Sequence, residues 1–324
     1  MQTILGASGQ IGTELARALH DDFTTDLRLV SRHPKPLHET DSTLAADLRD
    51  AEQTDRAVAG SEIAYFTAGL PPDGKVWAEQ LPVMMRHVID ACAAHGTKLV
   101  FFDNTYMYPK TSTPQTEETP FRPVGRKAVV RARIADMLLE AIDEERVEGV
   151  ICRAPEFYGP GRTQSFTTSL VFDRIAEGTT PRAPLTDDTL RTLIWTPDAS
   201  RGMALIGNTP SAFGRTWHLP VDPAPLTYRT LIADLSAKAW GRDIDYAVMP
   251  AWQFRLAGLV SKPVREIWEL LPRYAVNNIF LSDAFRSAFP DFRTTTYAEG
   301  VQILAEATTS ASARSSSATE RTSR

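Results

Sequence analysis

At 324 residues the chain is long enough for one large α/β domain, or for a nucleotide domain with a smaller partner. Its 43% apolar and 23% charged content is that of an ordinary globular protein, and a net charge of −5 argues against a general nucleic-acid binder. No apolar run is long enough to span a bilayer, and the N-terminus lacks the basic and apolar regions of a signal peptide, so the expected setting is cytoplasmic. Cys92 and Cys152 are too few for a disulfide framework or a zinc site and read as buried, inert thiols; the histidines show no metal-ligand spacing, and no metal is expected.

Taken in chain order, strand-like runs at 2–5, 26–31, 62–68, 98–104 and 147–155 alternate with helical patterns over 11–20, 50–60, 81–96 and 127–144. Residues 43–50 form a weaker further strand. Such alternation predicts an α/β fold, a doubly wound parallel sheet covered by helices on both faces. After residue 155 the pattern becomes irregular, with strand-like pieces at 192–198 and 216–221 and helices over 199–208 and 227–241. The expected organisation is a nucleotide-binding domain over 1–155 and a smaller substrate-covering region over 156–307, partly interleaved with the sheet. A Ser/Thr/Ala-rich tail over 308–324 is expected to be disordered.

The first strand runs into Gly6, Gly9 and Gly12, with Ser8, Gln10 and Ile11 between them. Gly6 permits a tight turn, Gly9 lets the backbone approach a pyrophosphate, and Gly12 lets the first helix pack on the sheet with its N–H groups aimed at phosphates. The spacing Gly-x-x-Gly-x-x-Gly differs from the commoner dinucleotide fingerprint, but its place between strand and helix points to a dinucleotide cofactor. The second strand ends in Ser31, Arg32 and His33, without the carboxylate that would accept from an NAD ribose. A guanidinium there suits a 2′-phosphate, which favours NADP; NAD is the alternative if Arg32 is only a solvated loop cation.

With these motifs on the page, the chain resembles the short-chain dehydrogenase/reductase superfamily in its extended, epimerase/dehydratase-like branch, over roughly residues 2–305. The resemblance rests on GASGQIG (6–12), on ADLRD (46–50) with Asp47 and Leu48, and on FTAGL (66–70) with Thr67, Ala68 and Gly69. RAPEFYGPG (153–161), with Pro155 and Phe157, is similar to the family's Arg-Pro-x-x-Val-Tyr-Gly-Pro-Gly segment beside the nicotinamide. It implies a Rossmann-type sheet with these residues around the cofactor, and a site at the strand C-termini.

The stretch DNTYMYPK (103–110) imitates the Tyr-x-x-x-Lys dyad of such enzymes, but Pro109 disfavours helix at Tyr108 and removes a helical hydrogen bond. By resemblance it is the strand-end segment that normally carries the catalytic Ser, here with Asn104 in that place and Tyr106 and Tyr108 just beyond. The family's helical dyad belongs on the helix after Arg122-Pro123, where matching puts Lys127 at the Tyr position and Arg131 at the Lys position. The standard pair is absent, as in atypical members of the superfamily. The remaining candidates are Asn104 as a donor to a substrate carbonyl, Tyr106 or Tyr108 as a phenol, Arg131 at the nicotinamide ribose, and Lys127 with its basicity depressed by Arg131. The alternative for Lys127 and Arg131 is a pair of solvated helix cations, and for Tyr108 a packing role.

Residues 251–271 carry Trp252, Phe254, Leu256, Leu259 and Trp268 and are expected to cover an apolar pocket or to pack on a second copy, as in a homodimer; membrane contact is the weaker option. The leading expectation is an NADP-dependent oxidoreductase acting on a small-molecule carbonyl or alcohol. An epimerase or dehydratase, and a non-catalytic NADP(H) sensor, are the alternatives.

Overall fold

β1 (Gln2–Leu5) is buried along its whole length, as a strand in the middle of a sheet covered on both faces must be. A computed structural model of the chain describes residues 1–161 and 165–322, without the side chains of 263 and 311–322. β1 turns at Gly6 into α1 (Gln10–Asp22), and β2 (Leu27–Ser31) and β3 (Ser42–Ala45) pair alongside it in sequence. α2 (Ala51–Val58) then leads to β4 (Ile63–Phe66), which pairs on the other side of β1. α3 (Gly74–His95), β5 (Lys98–Asp103), α4 (Arg126–Asp143) and β6 (Gly149–Arg153) extend the sheet outward. Reversal of direction at β1 and β4 makes the crevice above their C-termini the place where an open α/β sheet receives a ligand.

The second half starts with β7 (Glu156–Tyr158), α5 (Asp173–Ala176), β8 (Arg182–Pro184) and β9 (Leu193–Trp195). α6 (Thr196–Gly207) and β10 (Thr216–His218) follow. Next come α7 (Ala237–Trp240), β11 (Ala247–Met249), α8 (Ala251–Val260), α9 (Lys262–Arg265), α10 (Asp283–Ala288) and α11 (Tyr297–Thr322). β10 joins the main sheet beside β6, giving a seven-stranded parallel order β10-β6-β5-β4-β1-β2-β3. The expected α/β doubly wound sheet is therefore present. β7–β9 and β8–β11 form two separate parallel pairs. The helix α11 continues through the stretch where composition predicts a disordered tail, and residues 323–324 lie outside the described residues.

Two apolar layers hold the sheet. One packs α1 and α6 on one face through Leu15, Leu19, Met203 and Ile206; the other packs α2, α3 and α4 through Val58, Met85, Val88 and Leu138. Cys92 and Cys152 are free and buried, and desolvation pushes the Cys92 thiol up to about 12. α3 begins a full two turns before the periodicity suggests. Asp73 caps it by accepting from the Lys75 and Val76 amides, and Pro82 sits inside it rather than at its start. Among the described residues no helix is long and apolar enough to cross a membrane.

Gly12 fixes how closely α1 approaches the turn. A Cβ there would lie 2.5 Å from the Gly6 carbonyl oxygen and 2.8 Å from the Ala7 Cα, both of them backbone atoms that cannot swing away. Gly12→Ala is expected to cost about 1–3 kcal/mol, the usual range for overpacking. A thermal melt will show this as a lowered Tm, whereas an unchanged Tm would show that the turn relaxes freely.

Candidate active site

The cradle at the switch point is a cleft of about 250 Å³. It is lined by Gly6, Ser8 and Gly9 from the turn, Ser31 and Arg32 from the end of β2, Asp47 and Leu48 after β3, and Ala68 and Gly69 after β4. Gly6 has φ +106°, and a Cβ on it would meet the Ala68 backbone at 2.5 Å. A Cβ on Gly9 would meet only the Gly6 carbonyl, at 3.3 Å, and Gly69 faces open space. No side chain caps α1, so its first-turn amides are left for an anion. These features fit a dinucleotide diphosphate.

Other expected cofactor residues sit around the cleft without lining it. The Gln10 side chain donates to the Pro160 carbonyl at 2.7 Å, tying the glycine turn to the 153–161 segment, and the Ile11 carbonyl accepts from Ser200. Thr67 is engaged with the Leu5 carbonyl through both its amide and its hydroxyl. The cleft is also lined by a residue that spacing did not mark, Arg49. It pairs with Asp47 through two nitrogens, and this guanidinium holds the Asp47 carboxyl at about 2. Arg32 is exposed and has no ion-pair partner among the described residues. Ser8 and Ser31 share a hydroxyl hydrogen bond of 2.7 Å across the mouth.

At the end of β5 a second, smaller cavity of about 80 Å³ contains Asn104, Tyr106, Pro155 and Phe157. The structure thus brings together four residues expected near the nicotinamide. Asn104 Oδ1 accepts from the Tyr106 amide at 2.9 Å, and its Nδ2 end has no partner among the described residues. The Tyr106 ring stacks on Trp77 with centroids 6.1 Å apart, and the Arg273 guanidinium lies 5.4 Å from its centre. Its hydroxyl has no hydrogen-bond partner among the described residues. Burial raises the Tyr106 pKa, while Arg273 and Arg131 oppose the rise. Glu156 also lines this cavity, but its carboxylate is occupied: it accepts from Thr167, Ser165 and the Tyr274 hydroxyl and lies 3.6 Å from Arg191.

Tyr108 is turned away from this cavity into a buried chain of polar groups. His218 Nδ1 donates to the Leu281 carbonyl at 2.7 Å, so its Nε2 accepts from the Tyr108 hydroxyl, also at 2.7 Å. Arg153 Nη1 donates to the same hydroxyl at 2.8 Å. Both hydrogen-bonding directions of the phenol are used inside the protein. Arg153 in turn bonds Asp103, and Asp103 lies 3.4 Å from Arg131.

The helical candidates divide. Arg131 is near the site, stacked 5.0 Å over Trp77 and paired with Asp103, with its Nε buried and free of a hydrogen-bond partner among the described residues. Lys127 is not the solvated helix cation of the alternative reading. It is 2% exposed, and its ammonium lies 3.0 Å from Glu266 and 3.7 Å from Glu269. Those carboxylates also accept from backbone amides at two helix starts, Glu266 from Gly74 and Glu269 from Lys127 itself. The 262–274 segment is thereby clamped over α3 and α4, on the spot where the family dyad's Tyr is expected.

The structure also gathers His20, Asp21 and His38, ligand atoms within 4.8 Å, although their spacing in sequence shows no such group. The two imidazoles are stacked at 3.7 Å with 13° between planes, so their in-plane lone pairs run side by side rather than converging on one ion.

A family model for the NAD dependent epimerase/dehydratase family matches residues 3–218, and the chain belongs to that family. No curated protein matches. Similar solved structures include UDP-glucuronic acid 4-epimerase from Bacillus cereus in complex with NAD, with TM-score 0.77 and 13% identity over 96% of this chain and 99% of that one. A dTDP-glucose 4,6-dehydratase double mutant from Streptomyces venezuelae with NAD bound has TM-score 0.75 and 16% identity over 94% and 96%. UDP-glucose 4-epimerase from Thermus thermophilus with NAD has TM-score 0.72 and 16% identity over 95% and 99%.

The His218 imidazole yields a pH prediction. Desolvation, the largest cause, lowers its pKa from 6.5 to about 3, so it stays neutral when folded. Between those values the unfolded chain binds a proton that the folded chain refuses, and stability falls as pH falls through this window. Urea melts across that range are expected to show a smaller acid-dependent loss in His218→Gln than in the wild type; equal slopes would contradict the assignment.

Proposed function

We propose that the protein is an NADP(H)-dependent oxidoreductase that interconverts a small carbonyl compound and its alcohol, with Tyr106 as the proton donor. The observation that carries this reading is the Tyr106 hydroxyl, without a hydrogen-bond partner among the described residues, in the same cavity as the Asn104 amide, whose Nδ2 has none among them either. Both replacements for the missing helical dyad come from one strand end, two residues apart.

The dinucleotide, when bound in the cradle, supplies or accepts a hydride at its nicotinamide. Asn104 Nδ2 is placed to donate to the substrate oxygen and polarise it, as an amide donor does in an oxyanion site. With its pKa raised by burial, Tyr106 is protonated at neutral pH and able to give a proton to that oxygen in the reductive direction. The positive charges of Arg273 and Arg131 favour the phenolate left behind. At the other end, Arg32 is free to meet a 2′-phosphate. The cavity is lined by Phe157, Phe166 and Leu270 on one hand and by Asn104, Tyr106 and Arg273 on the other, which suits a substrate with one polar oxygen on an apolar body. Epimerisation or dehydration of a nucleotide sugar, the activity that the names of the similar structures carry, is the alternative reading.

Two measurements test it. Tyr106→Phe is expected to lower NADPH oxidation with an accepted carbonyl by about 10²-fold or more, the usual contribution of a positioned acid, while dinucleotide affinity stays the same. Absence of turnover by the wild type over a broad carbonyl panel, despite tight NADPH binding, would overturn the reading in favour of a sensor. Arg32→Ser is expected to weaken NADPH binding by on the order of tenfold and to leave NADH binding nearly unchanged, as loss of a charge-assisted contact requires. Tighter binding of NADH than NADPH by the wild type would contradict the cofactor assignment.

A further inference from the structure

α8 presents an apolar face on which nothing is packed among the described residues. Trp252, Leu256, Leu259 and Val260 stand at i, i+4, i+7 and i+8 on one side of the helix and are 58%, 57%, 70% and 91% exposed. The opposite side is anchored. Phe254 is buried with its ring 6.5 Å from Phe166, and the Trp268 indole, against which Gly258 lies, donates to the Phe254 carbonyl at 3.0 Å. Single exposed apolar residues are ordinary on a soluble protein, but four large ones joined on a ten-residue helix mark a surface that meets something.

Charge indicates what it meets. Residues 247–265 contain three cations, Arg255, Lys262 and Arg265, and no carboxylate, in a chain whose net charge is −5. Lys262 is held by Asp73 at 2.6 Å; Arg265 is exposed and donates to the Gly258 carbonyl at 3.5 Å, and the exposed Arg255 lies on the outward side between Trp252 and Leu259. A second copy related by a two-fold axis would place like charges of the same patch against each other as they lose water, which opposes self-pairing through this face. An apolar stripe with a tryptophan and marginal cations suits the headgroup and acyl boundary of an anionic bilayer.

We propose that α8 docks the protein on an anionic lipid surface. Trp252, Leu256, Leu259 and Val260 enter the acyl boundary, and Arg255 and Arg265 meet lipid phosphates. This docking is independent of the cofactor and of the reaction. Its place in the fold is one side chain from the smaller cavity, because Phe166 both stacks on Phe254 and lines that cavity.

The test is co-sedimentation of the full chain with phosphatidylcholine vesicles and with vesicles that also contain phosphatidylserine. Binding is expected to the second alone, weakening with added salt. The double variant Leu259→Glu/Val260→Glu is expected to abolish it, with far-ultraviolet circular dichroism and Tm unchanged. Arg255→Gln/Arg265→Gln, which leaves the apolar face intact, should weaken partitioning by roughly tenfold or more. Failure of the wild type to bind anionic vesicles, or equal binding by the glutamate variant, would overturn the proposal. So would concentration-dependent self-association in sedimentation velocity that the glutamate variant removes, since that would assign the face to a second copy.

Discussion

A single buried carboxylate organises the active end of this molecule. Asp103, at the last position of β5, pairs in register with Arg153 of β6 and bonds it, and lies beside Arg131 of α4. Removed from water, a charge of this kind persists only with partners of opposite sign, and two guanidiniums supply them. Arg153 then holds the Tyr108 hydroxyl, Tyr108 holds His218 of β10, and His218 is fixed to the Leu281 carbonyl. Three neighbouring strands and the helix behind them are thus joined at the edge of the cleft. The backbone of 104–108 between these anchors is what sets Asn104 and Tyr106 in the cavity.

The second constraint comes from the 262–274 segment. Glu266 and Glu269 accept from amides at the starts of α3 and α4, where the helix dipole favours negative charge, and both meet the Lys127 ammonium. The glycine at the start of α4 makes room for this: Gly125 has φ +100°, and a Cβ on it would strike Glu269. The first turn of α4 is consequently filled by protein. A phenol and an amide lie instead at the strand end, on Tyr106 and Asn104.

The central sheet was legible because its signals are local. Strand runs, glycine spacing at 6–12 and helical periodicity each lie within a dozen residues, and they fix β1, α1 and the order of the first six strands. α3 was read late because Pro82 resembles a helix start, while the cap at Asp73 that begins it is a single side chain. The role of Tyr108 depends on His218, 110 positions away, and that of Lys127 on Glu266, 139 positions away. Contacts of that range leave no periodic trace, so the sequence identifies these residues as candidates without separating Tyr106, which shares a cavity with Asn104, from Tyr108, whose hydroxyl is held by Arg153 and His218. Arg49 was missed although it stands two residues after Asp47, because its place in the cleft follows from where β3 ends rather than from any motif.

The central claim joins the two ends of the cleft: a 2′-phosphorylated dinucleotide lies along the cradle with its reactive ring beside the 104–106 segment. The most direct test is a crystal structure of the protein with NADPH. The account predicts the 2′-phosphate on Arg32 and the nicotinamide within reach of the Tyr106 hydroxyl and Asn104 Nδ2. A dinucleotide seated in the cradle with its nicotinamide directed away from Tyr106, or a 2′-phosphate turned to solvent away from Arg32, would contradict it.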